Sequence, residues 1–123
     1  MSKIQEFLKN QEKSVMSTVE GKTIIDYFNN NAEEVPEYPA LNTPINSEYT
    51  GWDSVSWSAY RETVHNLASG LIDIGLQAED NAFIVANNVK EHFICDLGIM
   101  HAGGVPSTTV SYTHLRAHET SLH

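Results

Sequence analysis

Between Asn81 and Thr109 the chain reads strand, helix, strand in so short a span that one local arrangement suits it best. Asn81–Ala86 (NAFIVA) is a near-continuous apolar run, the pattern of a strand covered on both faces. Asn87-Asn88 turns the chain. Val89–Ala102 is helical in pattern, with Phe93, Ile94, Leu97, Ile99 and Met100 inward. Gly103-Gly104 stops that helix, and Val105–Thr109 (VPSTT) begins a second strand. Two strands with a helix between them lie parallel, joined by a right-handed crossover. Pro106 has no N–H to give to a ladder, so it belongs at the strand start or at a bulge. The expected fold class is α/β.

Upstream, the helix from about Trp57 to Ile74 has the clearest apolar stripe: Trp57, Tyr60, Val64, Leu67, Leu71 and Ile74 recur at steps of three or four. Ser56 is its expected N-cap, Glu62 adds negative charge near that end, and Gly75 is the left-handed stop. Gly70 inside it suggests close approach of another element. Thr23-Ile24-Ile25-Asp26 has the form of a capping box, opening a helix that should fade in Asn29-Asn30-Asn31 and end before Pro36. Pro39–Asn42 and Trp52–Ser56 are strand candidates around a turn-rich segment, Thr43–Gly51. Residues 1–22 read as an N-terminal extension. Ile4, Phe7 and Leu8 make one or two amphipathic turns, but the polar residues that follow suggest a loosely docked leader, with a partner-binding helix as the other reading.

A length of 123 residues with 41% hydrophobic content suits one core and excludes a large two-domain enzyme. Sixteen acidic residues against seven basic ones give a net charge of −9, which argues against nucleic-acid and membrane-surface roles. The single Cys95 excludes an internal disulfide and a cysteine-based zinc site, and fits a reducing compartment. No signal peptide and no transmembrane segment is legible, so the expected location is cytoplasmic, with peripheral attachment to a membrane left open for a longer parent.

The chemistry-bearing patterns are weak. The turn Asn87-Asn88-Val89-Lys90 after the first parallel strand has neither a G-x-G-x-x-G nor a P-loop lysine, and Gly103-Gly104 follows a helix instead of opening one. Cys95, His92 and Asp96 lie near one another on one helix, but a thiol among Phe93, Ile94 and Leu97 is expected to be inert, and Asp96 to be a structural hydrogen-bonding group. His92 and His101 are nine apart and unsuited to joint ligation. His114 and His118 have helical i, i+4 spacing that would suit a metal, but Val110–Thr120 (VSYTHLRAHET) has no apolar period or cap. That segment resembles one reading frame of a transposon-type sequencing adapter. Residues 110–123 are therefore expected to be a non-native tail.

Read together, the ordered segments resemble a known family. Trp52, Ser56–Arg61 (SWSAYR), Val64, Leu67–Leu71 (LASGL) and Gly75 are similar to the first conserved block of AMP-forming acyl-CoA synthetases. Asp80–Asn88 (DNAFIVANN) resembles that family's G-D-x-V-A-I-x-x-x-N, and Glu91 with Asp96–Pro106 (DLGIMHAGGVP) its E-x-x-x-A-D-L-A-I-x-x-A-G-A-V-P. The D-L-G-I-x-H-A-G form is most similar to long-chain fatty acid–CoA ligases. Ser58 and Asn81 depart from the pattern. Each piece alone is unspecific; the combination, over about Thr23–Thr109, is specific.

The resemblance implies that residues 23–109 are the opening part of the large N-terminal domain of an adenylate-forming enzyme. The parent would activate a fatty acid with ATP and Mg²⁺ to acyl-AMP and transfer the acyl group to CoA, by electrostatic stabilisation at phosphorus. The family's phosphate loop, ribose-binding aspartate and catalytic lysine lie downstream, so no catalytic, cofactor-binding or metal residue is carried onto this chain. It is expected to be inactive and to bind none of these cofactors. It should also be marginally stable, with the Val105–Thr109 strand exposing an edge. The competing readings are a small acidic α/β interaction module complete in itself, and a fragment of a peptide-synthetase adenylation domain or luciferase-like enzyme.

Overall fold

The computed structural model describes residues 2–109; the readings made on residues 110–123, the His114/His118 pair and the adapter-like tail, lie outside them. Residues 3–19 overturn the expectation of a weakly structured leader. They form helix α1 (Lys3–Val19), because Ser2 and Gln5 make a capping box in which the Ser2 hydroxyl accepts from the Gln5 N–H at 3.2 Å. None of its residues is buried, and Ile4 is 73% exposed. The tie to the body runs through Tyr27, whose hydroxyl donates to the Thr18 carbonyl at 2.6 Å.

Helix α2 (Ile24–Glu34) starts at the Thr23/Asp26 capping box, the Asp26 carboxylate accepting from the Thr23 N–H at 2.8 Å. It continues through the three asparagines where the sequence suggested fading, because Phe28 and Ala32 on one face are buried. Strands β1 (Pro39–Pro44) and β2 (Trp52–Ser56) pair antiparallel, Leu41 opposite Val55. Helix α3 (Trp57–Asp73) follows at once, capped by the Ser56 hydroxyl, which accepts from the Ala59 N–H at 3.1 Å. Its buried face is Tyr60, Val64 and Ala68. Ile74, expected in that face, is 83% exposed, since the helix ends one residue earlier and the chain turns at Gly75 with φ +110°.

Strand β3 (Asn81–Val85), helix α4 (Lys90–His101) and strand β4 (Val105–Thr109) form the expected unit, with β3 and β4 parallel and Asn81 opposite Val105. Two expectations fail here. Helix α4 packs on the sheet, where Ile84 is 6% exposed, while Phe83 and Val85, which alternate with it, are 76% and 64% exposed. Phe93, expected inward, is also largely exposed.

The close approach predicted at Gly70 occurs instead at Gly98. A Cβ on Gly70 would meet nothing within 4 Å, whereas one on Gly98 would lie 2.7 Å from Leu67 Cδ2. The core centres on Phe28, Tyr60 and Val64, flanked by Leu41, Val55, Trp57, Ile94 and Leu97. Phe28 and Tyr60 meet edge to face, with centroids 4.8 Å apart. Among the described residues no helix is long and apolar enough to cross a membrane.

Candidate functional site

The densest polar arrangement lies where α2, α3 and α4 meet. Asn29 of α2 stands between two imidazoles. Its side-chain oxygen is 3.1 Å from His65 Nε2, and its amide nitrogen is 3.1 Å from His101 Nε2. The same amide nitrogen donates to the Ile25 carbonyl at 3.0 Å, and His101 Nδ1 lies 2.7 Å from the Leu97 carbonyl. The imidazole centroids are 5.0 Å apart, and the edge of Phe28 packs on His101 at 5.5 Å. Desolvation, His101 and the Arg61 guanidinium, in that order, hold His65 below its ordinary value. In the core beside it, burial and the Asp96 carboxylate push the Tyr60 hydroxyl up to about 12.

Two clefts lie apart from this junction. One, of about 390 Å³, lies between Leu41–Pro44 of β1 and the entry to α4 at Asn88–Glu91. The other, of about 330 Å³, separates the sheet from the helices; Leu67, Leu71, Ile84, Cys95 and Ile99 line it. Cys95 is thus a half-buried wall residue of an apolar cleft, while the ring of His92 lies beside Phe93, centroids 6.2 Å apart. Asp96 bears on Tyr60 through its charge.

The resemblance implies ATP, Mg²⁺ and CoA, and among the described residues the strand–helix unit does not fit a polyphosphate. In a parallel strand–helix unit a phosphate would sit at the helix N-terminus. Here that end carries Val89 as N-cap with no side-chain hydrogen bond, and the Glu91 carboxylate in its first turn. A polyphosphate would meet like charge there. The cation at that end, Lys90, is paired with Asp53 at 3.5 Å. Among the described residues no group of three or more His, Cys, Asp or Glu side chains is placed to hold a metal.

Sequence reasoning missed Asn29 and His65 entirely. Asn29 was part of a supposed helix fade; its signal was the position directly after Phe28, on the buried flank of a capped helix. His65 follows Val64, and nothing in the pattern of α3 links it to residues far away in the chain.

The comparisons with known proteins agree with one another. The family model described as AMP-binding enzyme matches residues 28–121. The long-chain-fatty-acid–CoA ligase heimdall of Drosophila melanogaster is 30% identical over 112 residues, 85% of this chain and 16% of the fly protein. The long-chain-fatty-acid–CoA ligase ACSBG2 of Mus musculus is 34% identical over 83 residues, 68% of this chain and 12% of the mouse protein. Among solved structures, acetoacetyl-CoA synthetase from Streptomyces lividans superposes with a TM-score of 0.66 at 22% identity, covering 73% of this chain and 14% of that one. This chain therefore spans less than a fifth of the length of these three proteins. The match over most of its residues settles its kinship: the chain belongs to the family of AMP-binding, adenylate-forming enzymes.

Proposed function

We propose that residues 23–109 are the opening part of the N-terminal domain of a long-chain fatty acid–CoA ligase, and that they frame the enzyme without performing its chemistry. The observation that carries this reading is what the motif residues do in the fold. The Asp80 carboxylate accepts from the Gln77 N–H at 2.8 Å, and the Asp80 carbonyl accepts from the Val105 N–H at 2.7 Å, which ties β3 to β4 at its start. A Cβ on Gly104 would lie 3.0 Å from Ile99 Cγ2 and 3.2 Å from the Asp80 carbonyl, so that glycine lets β4 close on α4. These are scaffold roles, and they explain why the D…N…DLGI…AGG pattern belongs to this unit.

The complete ligase would couple a fatty acid to AMP with release of pyrophosphate, then pass the acyl group to the CoA thiol, in the cytoplasm. ATP, Mg²⁺ and CoA would be held by residues beyond those described. The fatty acid assignment rests on the Asp96–Gly103 pattern and on the names of the fly and mouse relatives.

ATP–pyrophosphate exchange tests the reading. The 123-residue chain should show none with any carboxylate. A chain continued to the length of the relatives should exchange with a long-chain fatty acid and not with amino or aryl acids. Exchange by the short chain, or amino-acid selectivity in the long one, would refute it. The tail has its own test, sequencing of an independent clone across the codon for Thr109.

A further inference from the structure

The partners around Asn29 determine where the protons sit. The Asn29 amide group is oriented by the Ile25 carbonyl, which accepts from its nitrogen at 3.0 Å. With the nitrogen so fixed, the side-chain oxygen can only accept from His65 Nε2–H, and the second amide hydrogen points at His101 Nε2. The Leu97 carbonyl, 2.7 Å from His101 Nδ1, requires a hydrogen on that nitrogen. His101 Nε2 must then offer a lone pair. One amide thus joins three helices, donating to α4 and accepting from α3.

We propose that Asn29, His65 and His101 form a proton-sensitive clasp that holds α2 on the α3–α4 pair and opens when His101 takes a proton at Nε2. A proton there sets N–H against N–H across a 3.1 Å contact. Rotating the Asn29 amide by half a turn does not repair it. The oxygen would then face the Ile25 carbonyl, and His65 would have to move its hydrogen to Nδ1 to keep its contact, so the Ile25 hydrogen bond is lost for the one regained at His101. Protonating His65 differs, because its Nε2–H keeps donating to Asn29.

From α3 the Arg61 guanidinium bears on His65, and the His65 ring itself is 5.0 Å from His101. From α2 Glu33 faces Arg61 at 3.9 Å and is spent on it, and the Asp96 carboxylate of α4 bears on Tyr60. The held-down titration of His65 accords with this crowding. What opening releases is α2 with its Phe28 anchor, together with α1, whose tie to the body is the Tyr27–Thr18 hydrogen bond.

The test is native-state amide exchange of α2 in the full 123-residue chain, corrected for the pH dependence of intrinsic exchange. Between pH 7.5 and 5.5 the opening equilibrium of α2 should rise, by at most about tenfold per pH unit for one linked proton. Asn29→Asp should invert the trend, because a carboxylate accepts from both imidazoles and welcomes the proton on His101. His101→Phe should flatten it. The same direction of change in the wild type and in Asn29→Asp, or persistence of the trend in His101→Phe, would overturn the proposal. Should either variant fail to fold, nitrogen chemical shifts of the wild-type imidazoles decide. His101 must carry its hydrogen on Nδ1 and His65 on Nε2 near neutral pH, and the opposite tautomer at His101 would end the proposal.

Discussion

Two glycines on neighbouring helices should respond differently to alanine. Gly70 in α3 and Gly98 in α4 are both interior helical positions, so Gly→Ala carries the same propensity gain of about 1 kcal/mol at each. Their surroundings differ. The Gly70 Cβ would project into open space, whereas the Gly98 Cβ would lie 2.7, 3.0 and 3.3 Å from Leu67 Cδ2, Cγ and Cβ. Turning Leu67 about χ2 removes only the first of those contacts, and turning it about χ1 also moves Cγ but leaves Cβ at 3.3 Å. The helices would have to part by a few tenths of an ångström along their length, and overpacking of that kind costs about 1–3 kcal/mol. Gly70→Ala should therefore stabilise by about 1 kcal/mol. Gly98→Ala should fall about 1–3 kcal/mol below it, a difference from which the propensity term cancels.

Urea unfolding followed by far-UV circular dichroism reads both variants, with a midpoint separation on the order of 1 M for a chain of this size. The Leu67→Ala background sharpens the experiment. There the Cδ2 and Cγ contacts are gone, and Gly98→Ala should become neutral or stabilising. If Gly98→Ala is as stable as Gly70→Ala in the parent sequence, or still destabilises in Leu67→Ala, the α3–α4 contact is not limited by that glycine and the reasoning is wrong.

Other outcomes follow from the same coordinates. Ser56→Ala removes the hydroxyl that accepts from the Ala59 N–H and should lower stability by about 1 kcal/mol, read as a shift in urea midpoint. Tyr60, raised from 10.0 to about 12 by burial and then by Asp96, contributes stability that is complete below pH 10 and is lost as pH climbs towards 12. Tyr60→Phe should flatten that alkaline limb, and absorbance near 295 nm should show one tyrosine ionising well after the others. Substituting Phe83 and Val85 by Lys and Thr should reduce self-association of this chain in analytical ultracentrifugation without lowering its helix content, since both side chains point away from the helices.

Local devices were legible in the sequence and tertiary ones were not. Thr23 and Ser56 announce their helices because a cap depends on residues within one turn. The parallel pairing of β3 with β4 was equally readable, because a single short crossover leaves few alternatives. The capping box at Ser2 and Gln5 was present in the same form but was outweighed by the polar run after Leu8, so α1 was read as one or two turns instead of a helix to Val19. The choice between Gly70 and Gly98 turns on which helix face meets a neighbour, and no local pattern carries that. The Asn29–His65–His101 junction joins residues 36 and 72 positions apart in the chain, and each member alone looks like an ordinary polar residue on an amphipathic helix.

Sheet position explains why Asn81–Ala86 read as doubly covered while the structure covers its strand, β3, once. Alternation along β3 places Ala82 and Ile84 against the helices, and the residues between them, Phe83 and Val85, are as apolar as the inner ones. A strand meant to meet water on one side would carry polar residues there, as antiparallel sheet strands commonly do. Two parallel strands with one bare apolar face are also fewer than an independently stable sheet requires. The composition of β3 is thus that of a strand packed between two layers, which is what the proposed reading of this segment calls for. That environment is what a match to 12–16% of a long ligase would supply from the rest of such an enzyme. On the proposed reading the scaffold roles of Asp80, Gly98 and Gly104 would have one cause: this segment would build a wall against which other parts of the ligase place their chemistry.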